Sequence, residues 1–357
     1  MKKNKLRLLS AALAAVFAAG SFLPNAAAEQ TTKSFYVDAE NGNDNRNGSA
    51  SRPLRSVQKA LEKAYTYLGA NENSSVTLYL NEGEYQISDS LEINEQNLNG
   101  GSLTVKAAYE AKPVISGGKE ITGWTLYDAE KNIYFARLPG ANPRQLYING
   151  KRAVRARTDD NYLKELLELK EDGSGYECLS REPCSWSNAD KIEFVYYAAW
   201  ANHRCRISAV RESEGGSVIE MANSFNTLRG ISWGTNIDEE TPYYIENAYE
   251  FLDTQREFYV DTEKGEIFYI PSPDEDMSTV KAVYPTVKNL LKIKNLVIGQ
   301  RVKNVTFENI TFMYSDWQYV NEIPTFIENQ NNIDIYSNRA DAAVLVEGAD
   351  NIRFSGC

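Results

Sequence analysis

The side chains best suited to proton transfer in this chain are carboxylates toward its C-terminal end: Glu308, Asp316, Glu322, Glu328, Asp334, Asp341, Glu347 and Asp350. Two stand out by their neighbours. Asp316 is followed by Trp317 and Tyr319, and Asp341 immediately precedes the apolar run Ala342 to Val346. Two carboxyl groups held close together can divide the duties of acid and base between them. Alternate residues of a strand point the same way, so carboxylates on stacked strands can reach such a spacing. With 49 acidic residues in the chain, position alone assigns no catalytic residue. Asp316, Trp317, Tyr319 and Asp341 are therefore taken as candidate substrate contacts only. Trp317 and Tyr319 supply either a stacking platform for a ring-shaped ligand or the packing of a loop onto the strands beside it.

Other reactive residue types point to structure first. His203, the single histidine, has no nucleophile that sequence can set beside it, and a structural role is the expectation. Asp38, Asp44 and Asn45 carry oxygen ligands suited to calcium, but their spacing is not that of a calcium loop, and asparagine-rich turn chemistry accounts for it. No metal or other cofactor is indicated. The basic phrase Lys151, Arg152, Arg155 and Arg157 can meet acidic sugars or interdomain carboxylates; a solvated or salt-bridged hairpin is the default. Cys178, Cys184 and Cys205 leave at least one unpaired thiol among them, with Cys178–Cys184 a possible bridge, and Cys357 reads as a small buried hydrophobe.

These residues need elements to hold them. The phrase Asn-[Val/Ile]-x-Phe occurs at Asn304 to Phe307 and again at Asn351 to Phe354. Short β-runs hung on a repeated asparagine suit stacked coils, because asparagine tolerates left-handed backbone angles and its amide can bond a stacked neighbour. Near the N-terminus, Phe35 to Val37 reads as a strand. Val57, Ala60, Leu61 and Ala64 then predict a helix capped by Ser56, placed to cover the open end of a solenoid. Alternation follows at Val76, Leu78 and Leu80, at Tyr85 and Ile87, at Leu91 and Ile93, and at Leu103, Val105 and Ala107.

Between Ile121 and Pro285 the texture changes. Asn149-Gly150 predicts a two-residue hairpin turn, and Phe258 to Ile270 a second hairpin with a longer turn. Leu163, Leu166 and Leu167 predict a helix over Tyr162 to Lys170. Hairpins do not belong inside parallel coils, so residues 121–285 read as an inserted antiparallel β-domain. Coils resume at Leu290, Leu291, Ile293, Leu296, Val297 and Ile298. The expected fold is all-β: a right-handed parallel β-helix, incomplete at the C-terminus, with an N-terminal capping helix and that insertion. The expected divisions are residues 1–28, 29–120, 121–285 and 286–357.

Lys2, Lys3, Lys5 and Arg7, the apolar run Leu8 to Leu23 and the small residues Ala26 to Ala28 read as a secretory signal cleaved near Ala28. The expected location is extracellular or at the cell surface, and no later run is long enough to span a bilayer. The net charge of −11 becomes −15 without residues 1–28, since the 38 Lys and Arg lose four and the 49 Asp and Glu lose none. Nucleic acid and anionic membrane surfaces are excluded as partners on that balance, and a neutral or weakly charged glycan is the easier one.

Three phrases carry a likeness to known proteins. Phe35-Tyr-Val-Asp with Gly42, Asp44, Gly48 and Pro53 resembles the start of secreted pectin-lyase-like β-helix proteins. Pro113 to Trp124 and Arg144 to Arg157 resemble the relatives of glycoside hydrolase family 141, in which a small β-rich domain interrupts the β-helix. Ile245 to Asp253, Glu257 to Asp261 and Phe312 to Trp317 continue that likeness, with Thr254-Gln255-Arg256 standing where the family tends to carry Pro-Gly. The resemblance implies hydrolysis of glycosidic bonds in a plant or other complex polysaccharide or oligosaccharide, with two carboxyls about 5–9.5 Å apart. By resemblance, the catalytic carboxylates come mostly from later coils. A polysaccharide lyase on the same fold and a non-catalytic glycan-binding solenoid are the alternatives.

Overall fold

The computed structural model describes residues 31–198, 201–223, 225–230, 241–322, 325–326, 328–329, 333–334 and 342–357. The segment read as a secretory signal lies outside them. The chain is mostly strand, with few and short helices. Among the described residues no helix is long and apolar enough to cross a membrane.

Alternating burial builds three all-parallel sheets. The first is ordered Thr32–Val37, Ser75–Leu80, Ser102–Ala107, Val302–Glu308, Ala349–Ser355. The second joins Glu84–Gln86, Val114–Ser116 and Thr311–Met313, and the third Leu91–Ile93, Leu291–Lys294 and Val344–Glu347. Inward residues such as Val76, Leu78, Leu80, Leu91, Ile93, Leu291, Ile293, Val305 and Phe307 form one core. The two asparagine-led phrases pair in parallel, Val305 opposite Ile352 and Phe307 opposite Phe354. Asn304 and Asn351 both take positive φ (58° and 54°), and the Asn351 amide donates to Asn304 Oδ1 at 2.6 Å. Phe307 and Phe354 stack with ring centroids 5.4 Å apart. Asparagine shares the left-handed positions with glycine: ten of the thirteen positive-φ non-glycine residues described are Asn, beside eleven glycines, as its tolerance of that region allows.

The helix Val57–Ala70 buries Val57, Ala60, Leu61, Ala64 and Leu68 against this core, and Ser56 Oγ accepts from Lys59 N as its cap. Asp44 takes the N–H groups of Arg55 and Ser56, while Asp38 takes those of Glu40 and Asn41. Each of these carboxylates thus gives one oxygen to backbone N–H groups and the other to a side chain, Ser56 Oγ for Asp44 and Asn81 Nδ2 for Asp38. Gly42 sits where a Cβ would lie 2.0 Å from Leu54 O, which accounts for a glycine there.

Strands neighbouring in the parallel sheets are far apart in sequence at one place. Val114 pairs with Thr311, Leu91 with Leu291 and Leu103 with Val305. The chain between leaves and returns through Gly118–Ile121 and Ala282–Pro285, which are antiparallel neighbours. It forms a largely antiparallel set of sheets with two further cores. Asn149 and Gly150 take positive φ at the first hairpin turn, with Tyr147 opposite Arg152. The strands Glu257–Asp261 and Glu266–Tyr269 make the second hairpin. Arg256 occupies a left-handed position (φ 69°), held by an ion pair to Glu275 at 2.5 Å.

Four expectations fail. Residues 162–170 form turns and a strand, Leu167–Leu169, that pairs with Gly175–Cys178, so cross-strand partners override helical spacing. All four cysteines are free thiols, with Cys178 buried and Cys184 exposed; the proposed bridge does not form. Cys357 is exposed rather than buried. Leu296, Val297 and Ile298 do not enter the core: Ile298 is fully exposed, and the segment forms a turn whose N–H groups bond Glu95.

Candidate functional site

The site begins with an electrostatic problem. Glu193, at the head of Glu193–Ala198, lies directly across the ladder from Glu246 of Tyr244–Glu246. Both are buried, and like charges in that position repel. Three arginines resolve it. Arg144 donates to Glu193 through both Nη atoms (2.5 and 2.8 Å) and reaches Glu246 at 3.5 Å. Arg155 Nη1 donates to Glu193 (2.7 Å) and Glu246 (3.1 Å), and Arg204 Nε lies 3.6 Å from Glu246. Burial pushes the Glu193 carboxyl up, but the charges and hydrogen bonds of Arg144 and Arg155 overcome it and hold the group well below the usual carboxylate range. Burial also lowers Arg144, and the neighbouring Arg155 charge adds to that against the pull of Glu193.

Arg155 ends the short strand Val154–Arg155 and Arg157 makes an isolated bridge to Glu246, and both line one cavity. The Arg157 guanidinium lies 4.6 Å from the centroid of Tyr244. The Arg157 backbone N–H donates to Glu257 Oε1, and Glu257 Oε2 accepts from the N–H groups of Asp253 and Thr254. Burial pushes Glu257 up to about 7, against those three N–H groups and with the Asp253 charge adding to the rise. A perturbed carboxyl is a functional candidate, but among the described residues its carboxyl bonds only backbone N–H groups, so it anchors the arginine-bearing segment. Its folded-state pKa lies above the unfolded one, so its contribution to stability is full below about pH 4.5 and is lost as the pH rises to about 7. That loss is at most ~3 kcal/mol. Urea unfolding at pH 5 and pH 8 should show it in the parent and not in Glu257→Gln; equal slopes in both proteins would refute it.

From the parallel sheets, Thr311–Met313 runs into Tyr314, a bulky residue held at φ 63°. Gly117 and Gly118 make room for it: a Cβ on Gly117 would lie 2.8 Å from Tyr314 O. Its ring packs edge-on against Tyr147 at 4.9 Å. Strained backbone of this kind persists where surrounding structure over-determines it, and it clusters at functional sites. Asp316 follows, buried, with its N–H on Val287 O. Burial raises its carboxyl, against a hydrogen bond from Gln318 and the Trp317 N–H and with help from Glu322, while Lys288 opposes. Gln318 Nε2 donates to Asp316 (2.9 Å), Gln318 Oε1 accepts from Asn321 (2.5 Å), and Asn321 Oδ1 accepts from Arg144 (3.2 Å). A continuous chain of hydrogen bonds thus runs from Asp316 to the buried arginines. Thr325–Phe326 extends the connection by pairing with Arg204 and Cys205.

Trp317 receives Arg144 over its ring at 5.1 Å and lies parallel to Tyr319 at 6.5 Å. Both meet Phe326 edge-on, so packing is at least part of their work. Trp317 also lines a cavity of about 300 Å³ with Arg144, Gln145, Arg152, Arg155, Arg157, Arg204, Tyr244 and Glu246. Of the candidates read from sequence, Asp316, Trp317 and Tyr319 lie together beside this cavity, and Asp341 falls outside the described residues. His203 is fully buried inside the strand Ala201–Ser213. Glu193, Glu246, Arg144, Arg204 and Tyr244 were not candidates. The usable signal was a carboxylate abutting each apolar run, Glu193 before Phe194 to Tyr197 and Glu246 after Tyr243 to Ile245, since burial with the run demands cationic partners.

Residues 132–272 match the family described as the GH141 insertion domain. Among solved structures, one titled "Glycoside hydrolase" is similar over 90% of this chain and 61% of its own length, with a TM-score of 0.76 and 21% identity. The chain thus spans about 61% of the length of that structure, and the likeness is one of fold. A second, titled "The complex structure of XylC with xylose", aligns over 79% of this chain and 35% of its own at a TM-score of 0.38 and 13% identity. No curated protein matches.

Proposed function

We propose that this protein is a secreted glycoside hydrolase that cleaves a plant or other complex polysaccharide, and that its three parallel sheets are the sides of a right-handed, pectin-lyase-like β-helix. The observation that carries the reading is the GH141 insertion domain match at residues 132–272, set between neighbouring strands of the parallel sheets. The likeness of fold to a glycoside hydrolase supports it. The division into residues 29–120, 121–285 and 286–357, after a signal ending near Ala28, belongs to the same proposal.

Glycosidic cleavage needs one carboxyl that carries a proton and a second that does not. Asp316 suits the first part, because burial favours its protonated form. Glu193 does not, since Arg144 and Arg155 keep it ionised. Trp317, with Asp316 beside it, would contact the sugar. The test is an assay of the full chain on a panel of neutral and uronate-bearing polysaccharides, with and without chelator. Release of reducing ends that chelator leaves unchanged is the expected result. An unsaturated product absorbing in the ultraviolet would replace hydrolase by lyase, and binding without turnover would leave only a glycan-binding solenoid.

A further inference from the structure

The cavity beside Trp317 is cationic in a protein that is strongly anionic overall. Five guanidiniums line it, from Arg144, Arg152, Arg155, Arg157 and Arg204. Two carboxylates, Glu193 and Glu246, offset them through the ion pairs of Arg144, Arg155 and Arg204. Arg152 and Arg157 are outside that network. Arg157 rests on the Tyr244 ring, and among the described residues its guanidinium makes no hydrogen bond or ion pair; the same holds for Arg152, exposed on the hairpin. Arg155 commits only Nη1, which leaves Nη2 and Nε without a partner among the described residues. Arg144 and Arg155 repel one another, and with Arg157 on the same cavity lining a further cation there is costly and an anion welcome. A cavity of about 300 Å³ is the size of a single sugar unit rather than of a chain.

We propose that this cavity is a subsite for one anionic sugar unit, bearing a carboxylate or a sulfate ester, of the glycan that the protein acts on. Arg157 and Arg155 would grip the anionic substituent through paired N–H donors, the geometry that guanidinium forks offer to planar and tetrahedral anions alike. Arg152 would close the rim, and the Trp317 edge would border the sugar ring. The buried Glu193–Glu246 pair acts as a counter-charge that holds Arg144 and Arg155 in place without filling the cavity. The inference rests on the hydrolase reading for the identity of the ligand as a glycan. It revises the expectation, drawn from net charge, that a neutral glycan is the easier partner: the local field at a recessed site outweighs the distant surface charge, which salt screens.

Calorimetric binding to the full chain separates the two readings, because it needs no turnover. The probes are oligogalacturonate, oligoglucuronate, their methyl esters, and a neutral oligosaccharide with and without sulfate esters. At least one acid-bearing probe should bind about tenfold or more tightly than its uncharged counterpart, and the preference should shrink as salt is raised. Carboxylate and sulfate arms distinguish the two sources of charge. Arg157→Gln and Arg152→Gln should each abolish most of the preference while leaving the urea midpoint unchanged, since neither residue belongs to the buried network. No preference for any charged probe, or a preference that survives both substitutions, would overturn the subsite. Charge-selective binding without hydrolysis would instead count against the hydrolase reading alone.

Discussion

Glu193→Ala should lower the unfolding free energy by about 3–5 kcal/mol, the range seen when one partner of a buried ion pair is removed. The carboxylate is almost wholly inaccessible and receives three hydrogen bonds from two guanidiniums. Without it, Arg144 and Arg155 confront one another with Glu246 as their remaining shared counter-charge. Arg144 is the more exposed to that loss, because at Arg144 burial outweighs the pull of the carboxylates, whereas at Arg155 the carboxylates win. The damage should spread along the chain of hydrogen bonds through Asn321 and Gln318 to Asp316. Glu193→Gln keeps the shape and some donors' partners but not the charge, so it should fall between parent and alanine. Urea unfolding at pH 7 measures both; a shift under about 1 kcal/mol for the alanine variant, typical of exposed pairs, would sink the account. The parent should also lose stability as pH falls below about 4.5, where unfolded chains take up the proton that the folded Glu193 refuses. That window lies beneath the one in which Glu257 acts.

The contrast between these two glutamates shows what was legible from residues alone. Period-two burial, the Asn149-Gly150 turn, the Ser56 cap and the paired asparagine phrases are local signals. Each depends on residues within a few positions, or on a repeat whose two copies meet in register. The helix expected over residues 162–170 was also a local reading, and it failed because Leu167–Leu169 finds Tyr176 and its neighbours as strand partners. The Glu193–Glu246 pair depends on which strands lie side by side, and nothing near either residue specifies that. Arg155-Ala-Arg157 was visible as a basic phrase, yet its surroundings were not: one guanidinium is buried on two carboxylates, and the next is left resting on Tyr244. On the proposed subsite, net charge is a poor guide for the same reason. It averages over a surface, whereas a ligand in a cavity meets the few groups that line it.

On the proposed hydrolase reading, Asp316→Asn should cut glycosidic turnover by about 10²–10⁴-fold, the usual worth of a positioned proton donor, with little change in fold. Asparagine is nearly isosteric and can still bond Gln318, so the hydrogen-bond chain to Arg144 should survive and the urea midpoint should move by less than about 1 kcal/mol. The role leaves a signature that a packing residue would not. Burial raises the Asp316 carboxyl, Lys288 pulls it down and Glu322 pushes it up; a proton donor with a raised pKa is lost as pH climbs, so the parent should show a falling alkaline limb in kcat. The variant should lose that limb. Substrates whose leaving group needs no protonation, such as aryl glycosides with acidic phenols, should recover most of the lost rate, with KM little altered. If the variant is equally slow on natural and activated substrates, Asp316 is not the proton donor. If KM alone rises, Asp316 binds the sugar without taking part in cleavage, and the acid must be sought on another strand.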